Sequence, residues 1–226
     1  MTYIRLALIN ANTTQAMTER MVRHAQALAP AGVTIEGLTA PRGAPYISTP
    51  EAAEDAGRVV EEMAEVLARR QSHHGVMISC FGDPGLFAAR ARLSVPVLGM
   101  ADASCHVATQ LAERFAIVTG GRAWGPMLEA FVDRIGLASR FAGVRTLDLT
   151  GDRIAADPLG AEALVLNEIE AAHARGADAV VLGGAGLVGF ADRLSPRTSA
   201  LVLDSLACLV AQACALAQFG FRQRRG

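Results

Sequence analysis

The clearest signal of the architecture comes from two segments, GVMISCFGDPGL at residues 75–86 and AVVLGGAGLVGF at residues 179–190. Each starts as an unbroken apolar run, which is typical of a parallel strand covered on both faces. Each then continues into a glycine-containing turn that opens a helix. Their similarity predicts that the chain is built from two related halves.

The flanking sequence alternates between strand and helix patterns, with a long helix predicted after Pro50 from apolar residues at three- and four-residue spacing. This alternation predicts an α/β fold of two similar lobes, each a mostly parallel sheet flanked by helices, with the active site between the lobes. We expect one domain over residues 1–226, with lobe 1 at about 1–98 plus the C-terminal helix and lobe 2 at about 99–203. The predicted strands are 3–9, 33–38, 75–79, 95–99, 144–149 and 197–204. Residues 114–121 are predicted as a strand that ends in a glycine turn, and residues 177–186 as a buried strand and turn.

Composition excludes several classes of protein. A chain of 226 residues with 51% hydrophobic and 19% charged residues can bury a substantial core. A formal net charge of -1 without a basic run predicts no binding to nucleic acid. The N-terminal apolar run is too short for a signal peptide and no apolar stretch reaches the length of a membrane span, so we expect a cytoplasmic protein with no membrane contact. The spacing of the four cysteines matches no zinc motif, so we expect no metal.

Ligands of open parallel sheets bind beyond the carboxyl ends of the strands, which directs attention to the loops at those ends. The loops are rich in Gly, Asn and Thr, and we expect them to offer free backbone N–H groups to an anion. A small carboxylate or imide-like substrate would suit them. The loops are residues 10–14, 80–85, 119–122 and 183–186.

Cys80 is the residue that the sequence most clearly marks as a candidate catalytic group. It follows a predicted strand, and Asp83 and Pro84 occupy positions expected of a helix start. A thiol just before a helix N-terminus can have its pKa lowered by the helix dipole and nearby N–H groups, which would make Cys80 a base or nucleophile. The alternative is a buried cysteine that serves as a small hydrophobic residue.

Two other sequence patterns could indicate a catalytic pair or a cofactor site. Cys105 and His106 are adjacent, but neighbouring helix residues point about 100° apart, which favours one buried and one rim residue over a thiol–imidazole pair. The run 184–189 matches GxGxxG, and Asp204 lies about twenty residues further on, as a dinucleotide site requires. Too little chain follows Asp204 for a second mononucleotide half, so dinucleotide binding is the minor alternative. Cys208 and Cys214 are predicted to be core residues.

Four motifs together resemble the aspartate/glutamate/hydantoin racemase superfamily, and the hydantoin and allantoin racemase branch in particular. They are NANTT after the first strand, ISCFGDPGL after the third, RFAIVT near mid-chain and VLGGAG after a late strand. The resemblance covers almost the whole chain and implies a cofactor-independent enzyme with two pseudo-symmetric α/β lobes. In such enzymes one cysteine removes a proton from an acidic carbon and a second cysteine returns one on the opposite face.

Carried over by motif, Cys80 is the first of these cysteines. The implied substrate-binding positions are Asn12, Thr13, Phe81, Gly82, Thr119, Gly120, Gly183, Gly184 and Ala185. The chain departs from the family pattern LGCAG, because Gly184 stands where the second cysteine is expected. The segment Ile47-Ser48-Thr49 also departs from the IEG of the hydantoin branch, which leaves the substrate open.

Three interpretations of Gly184 remain. Another group, with Asp102, His106 and a water as candidates, supplies the second proton of a racemase. Alternatively, a single thiol performs one-sided chemistry, as in a decarboxylase or isomerase, or the protein only binds a small carboxylate or cyclic ureide. Our leading prediction is a cofactor-independent racemase or epimerase acting on a hydantoin, allantoin or amino-acid-type carbon acid through a Cys80 thiolate. The expected partner is a small-molecule substrate, and apolar helix faces allow a homo-oligomer.

Overall fold

The computed structural model describes residues 3–219. The chain folds into two compact units. The first contains the chain up to Met100 together with the segment from Leu209 onward, and the second contains Ala101–Cys208. The last helix therefore contributes residues to both units.

The first unit contains a four-stranded parallel sheet in the order β2-β1-β3-β4. Its strands are β1 (Ile4–Asn10), β2 (Val33–Thr39), β3 (Gly75–Ile78) and β4 (Val97–Gly99). The helices that follow these strands are α1 (Gln15–Leu28), α2 (Pro50–Arg70), α3 (Leu86–Arg92) and α4 (Met100–Leu111).

The second unit repeats this design with a parallel sheet in the order β6-β5-β7-β8. Its strands are β5 (Phe115–Gly120), β6 (Phe141–Leu147), β7 (Ala179–Gly183) and β8 (Leu201–Asp204). The helices that follow these strands are α5 (Trp124–Arg134), α6 (Gly151–Ala156), α7 (Pro158–His173), α8 (Phe190–Leu194) and α9 (Ser205–Gln218). Two parallel sheets flanked by helices confirm the predicted α/β class.

Apolar periodicity explains why these elements pack as they do. Every residue of β3 is buried, as a strand covered on both faces requires. Helix α2 starts at Pro50 and is capped by Thr49, whose side chain accepts a hydrogen bond from the Ala52 N–H. The helix buries one stripe of side chains, as its three- and four-residue spacing predicts. The stripe consists of Ala56, Val59, Val60, Ala64 and Leu67.

Two details differ from the sequence prediction. Helix α3 begins at Leu86 rather than at Asp83 or Pro84, because Asp83 has a left-handed backbone (φ +53°) and Gly85 is the N-cap. The short helix α6 was not predicted, because it is a single turn or slightly more and too short to show a period.

Within residues 3–219, no helix is both long and apolar enough to cross a membrane. The same residues contain no group of three His, Cys, Asp or Glu side chains arranged to hold a metal ion. Cys80, Cys105, Cys208 and Cys214 are all free thiols.

Candidate active site

The carboxyl edge of the first sheet brings together the loop after β1 and the turn after β3. Strands β1 and β3 are hydrogen-bonded neighbours, with Ile9 opposite Ile78, and Ile78 in turn lies opposite Gly99 of β4. Because these strands are parallel, the loop that starts at Asn10 and the turn that contains Cys80 leave the sheet side by side. The two sequence motifs predicted to hold substrate in this unit therefore share one edge.

Asn10 organises the loop after β1. Its side-chain Nδ2 donates to Asn12 Oδ1 (2.9 Å), to the Thr14 carbonyl (3.2 Å) and to Thr18 Oγ1 (3.0 Å). Its Oδ1 accepts from the Asn12 N–H at 3.2 Å. Asn10 is 1% exposed, so this network is shielded from water. A buried amide with this many partners fixes the backbone of the loop.

The backbone N–H groups of this loop are already used, which contradicts the prediction that they are free for an anion. The Asn12 N–H is bound by Asn10, the Thr13 N–H donates to the Ala44 carbonyl (3.1 Å), and the Thr14 N–H donates to Asn12 Oδ1 (2.9 Å). The Asn12 side-chain Nδ2 donates at 3.2 Å to the sulfur of Met17, which is a weak acceptor. Asn12 is itself buried, so this weak contact lies inside the loop.

The turn that carries Cys80 is tightly held. The Ser79 side chain and N–H both donate to the Ile9 carbonyl, at 3.1 and 2.9 Å. The Asp83 N–H donates to the Cys80 carbonyl at 3.0 Å. Gly82 and Gly85 adopt φ values of +102° and +75°, which glycine tolerates without strain. The turn therefore has a defined shape, with the half-buried Cys80 at its start.

The charge state of Cys80 differs from the prediction. Burial, with a smaller contribution from the Asp83 carboxylate, raises the pKa of its thiol to about 12. The expected lowering by a helix N-terminus is wrong for this structure, because α3 begins only at Leu86 and the Asp83 carboxylate acts on the thiol. Cys80 is a protonated thiol at neutral pH. Phe81, which follows it, is buried.

The carboxyl edge of the second sheet holds the second group of predicted site residues. Thr119 of β5 lies opposite Gly183 of β7, and its hydroxyl donates to the Gly183 carbonyl at 2.9 Å. Gly120 is packed so closely that an added Cβ would lie 2.8 Å from the Leu149 carbonyl oxygen. Ala185 is half-buried in the short 3-10 turn Ala185–Leu187. The structure thus groups these residues along one edge, as the motifs predicted.

Gly184 occupies the place in the second unit that Cys80 occupies in the first, since both fall at the same distance from the start of the third strand of their sheets. Its backbone has φ +106° and ψ 154°, a region that is essentially restricted to glycine. Cys80 is not among the residues with positive φ. The two turns therefore differ in backbone path as well as in the missing thiol.

The GxGxxG run has a structural role in this unit. An added Cβ on Gly186 would lie 2.1 Å from the Gly151 carbonyl oxygen, so this glycine permits the contact with α6. Asp204, the residue a dinucleotide site would need, has both carboxylate oxygens engaged. One accepts from the N–H groups of Leu206 (2.9 Å) and Ala207 (3.1 Å), and the other accepts from Gly189 (2.7 Å).

Asp102 and His106 lie one turn apart on α4. The His106 Nδ1 is 2.8 Å from the Asp102 carbonyl oxygen and 3.5 Å from its carboxylate. A carbonyl can only accept, so Nδ1 carries the proton and Nε2 is left unprotonated in the neutral ring. Asp102 is buried and His106 is half-buried. The two residues predicted as possible second proton donors, Asp102 and His106, therefore contact each other in the structure.

The remaining cysteines lie in helices. Cys105 is fully buried next to His106, as the burial alternative predicted. Burial and, to a smaller extent, the Asp204 carboxylate raise the pKa of Cys208 to about 11, against a smaller lowering by hydrogen bonds from Ser104 and from the backbone of Cys208. Burial also raises the pKa of Cys214. Cys208 and Cys214 are core residues of α9, as predicted.

Known proteins with the same arrangement were found by three comparisons. Residues 6–213 match the family model for Asp/Glu/hydantoin racemases. A hydantoin racemase from Rhizobium meliloti is 35% identical over 222 residues, covering 96% of this chain and 90% of the relative. The allantoin racemase from Klebsiella pneumoniae superposes with a TM-score of 0.89 at 32% identity, covering 98% of this chain and 90% of that one. The allantoin racemase from Pseudomonas fluorescens gives a TM-score of 0.91 at 27% identity, covering 98% and 94%. With its fold and nearly its whole length matched in this way, this chain belongs to the Asp/Glu/hydantoin racemase family.

Proposed function

We propose that this protein is a racemase-type isomerase that moves a proton at the acidic carbon of a hydantoin- or allantoin-like cyclic ureide, with Cys80 as the proton-transferring group. The observation that carries the proposal is the half-buried Cys80 thiol, which starts a rigid turn at the carboxyl edge of the first sheet. The names of the relatives, hydantoin racemase and allantoin racemase, support the substrate class.

The chemistry follows from groups that this chain supplies. The Cys80 thiolate, the minor form at neutral pH, takes the proton from the carbon between the amide nitrogen and the carbonyl of such a ring, which leaves an enolate and a thiol. Hydrogen-bond donors aimed at the enolate oxygen stabilise it. The Asn12 side-chain amide is suited to this role, because its present partner is the weakly accepting sulfur of Met17. Cys80, as a thiol, can then deliver a proton to the carbon.

A second candidate, one-sided proton transfer, is favoured by the conformation of Gly184. A full inversion needs an acid–base group on each face of the carbon, and glycine has none. The glycine-only backbone at this position also indicates that the turn is not shaped to carry a side chain. One thiol acting alone would exchange a proton with retention, or protonate a carbanion formed by loss of carbon dioxide from a substituted malonate.

The test is proton NMR of the full chain in deuterated water with hydantoins, allantoin and acidic amino acids, alongside optical rotation. Cys80→Ala is compared with Cys214→Ala, which removes a buried thiol of α9. Deuterium uptake above the protein-free rate, lost in Cys80→Ala and kept in Cys214→Ala, supports the proposal. Simultaneous loss of rotation indicates racemisation, whereas uptake with constant rotation indicates one-sided transfer. No uptake with any compound refutes the isomerase, and carbon dioxide release from a malonate would then favour the decarboxylase.

A further inference from the structure

We propose that Asp83 is a positioning residue for Cys80: its carboxylate, lodged against Gly99 at the end of β4, fixes the turn that carries the thiol and places a negative charge three residues from it. The consequence for catalysis rests on the proposed function, because it concerns the proton that Cys80 transfers. Cys80, Asp83 and Gly99 all lie in the first unit.

Asp83 has an unusual conformation for a side-chain-bearing residue. Its φ is +53°, in the left-handed region, although it is neither glycine nor exposed. Its N–H donates to the Cys80 carbonyl (3.0 Å) and its carbonyl accepts from the Leu86 N–H (3.2 Å). The backbone of Asp83 therefore connects the Cys80 turn to α3, and this conformation directs its side chain away from the start of that helix.

Gly99 provides the space for the Asp83 carboxylate. An added Cβ on Gly99 would lie 2.1 Å from Asp83 Oδ2 and 2.2 Å from its Cγ, so the carboxylate fills the volume of the missing side chain. Gly99 ends β4, and the next residue, Met100, is the first of α4. The first N–H groups of a helix have no partner within the helix and carry a partial positive charge, both of which stabilise an ionised carboxylate placed beside them.

The second unit supplies an independent comparison. Asp204 ends β8 as Gly99 ends β4, and its carboxylate caps α9 through the N–H groups of Leu206 and Ala207. Its other oxygen binds the N–H of Gly189, in the turn after β7. In both units a carboxylate thus lies between the turn after the third strand and the helix after the fourth. The second unit supplies it from the strand end, and the first supplies it from the turn, three residues after Cys80.

This difference in origin has a chemical consequence for the thiol. A carboxylate near a thiol disfavours the thiolate, because two negative charges would then face each other. Among the described residues, Asp83 is the charged group that acts on Cys80, and its effect adds to that of burial. Under the proposed function, Asp83 therefore makes the Cys80 thiolate a rarer but stronger base, and the thiol formed when it takes the substrate proton is the group that returns one.

The experiment measures iodoacetamide alkylation of Cys80 in the full chain as a function of pH, with peptide mass spectrometry to isolate the Cys80 signal. Asp83→Asn keeps the shape of the side chain and removes its charge. Asp204→Asn makes the same change in the second unit and is the matched control. We expect the alkylation midpoint to move to lower pH in Asp83→Asn alone, with a rate at fixed pH about three- to tenfold higher, since one pKa unit corresponds to a factor of ten.

An unchanged midpoint with a uniformly faster rate would overturn the proposal, because it would show that the turn had only loosened. If Asp83→Asn does not fold, Asp83→Ser is measured in the same way. Failure of both to fold, with Asp204→Asn folded, would reduce Asp83 to a purely structural role and also refute the proposal. The readout needs no substrate, so its failure is distinguishable from failure of the proposed activity.

Discussion

Replacing Gly184 with alanine tests whether the second turn depends on glycine. An added Cβ would meet Thr119 Oγ1 at 3.9 Å, an ordinary contact, so crowding is not the cost. The cost lies in the backbone, because φ +106° with ψ 154° is a region that side-chain-bearing residues occupy only with about 1–3 kcal/mol of strain. In a chain of this size each kcal/mol lowers the melting temperature by about 2–4 °C. Gly184→Cys should lose a similar amount, because the strain does not depend on the thiol.

The assay is thermal unfolding of Gly184→Ala, Gly184→Cys and a control, Gly125→Ala. Gly125 lies in α5, has no positive φ, and an added Cβ would meet Thr146 Cγ2 at 3.7 Å, which is comfortable. Alanine favours helix over glycine, so the control should melt at or above the wild-type temperature. Melting of both Gly184 variants at the wild-type temperature, with the control behaving as expected, would refute the claim that this turn requires glycine.

Two further predictions concern stability. Asp204→Ala should lower the free energy of unfolding by about 0.5–2 kcal/mol, because α9 loses its cap, and a urea midpoint equal to that of the wild type would contradict the role assigned to this carboxylate. Burial raises the folded-state pKa of Cys80 from an ordinary 9.0 to about 12, so the folded state holds a proton that the unfolded state releases between these values. Stability should therefore be complete below about pH 9 and fall as the pH rises toward 12, and urea titrations should show a shallower fall in Cys80→Ala. The chain has no lysine, and the titrations of Cys208 and Cys214 are common to both proteins, so equal slopes in the two proteins would count against the raised pKa of Cys80.

Much of the fold could be predicted because its signals are local. The apolar runs of β3 and β7 and the apolar stripe of α2 each lie within a short window of sequence. The order of the strands has no local signal, because hydrogen bonding between β1 and β3 joins segments far apart in the chain. The alternation of strands and helices still predicted a parallel sheet with ligand loops at the carboxyl ends of its strands, because parallel α/β folds follow these rules.

The charge state of Cys80 was predicted with the wrong sign for a definable reason. From the sequence, Asp83 and Pro84 look like the first residues of a helix, which would place a positive helix end beside the thiol. In the structure Asp83 is left-handed and lies against Gly99, sixteen residues further along the chain. Neither the φ value nor that contact has a local signature. The prediction that residues 10–14 offer free backbone N–H groups was also wrong. The Asn12 N–H bonds to the Asn10 side chain, and the Thr13 N–H bonds to the Ala44 carbonyl, a contact that has no local signature.

The two units show how one design can diverge in chemistry while its supports are retained. Each has a carboxylate between the turn after its third strand and the helix after its fourth. Where the strand end supplies it, as with Asp204, the first residue of the turn is a glycine in a glycine-only conformation. Where the turn supplies it, as with Asp83, the carboxylate acts on the thiol. The unit that has a thiol is therefore also the unit whose carboxylate raises the pKa of that thiol, and the asymmetry favours proton transfer by Cys80 alone over a pair of equivalent bases.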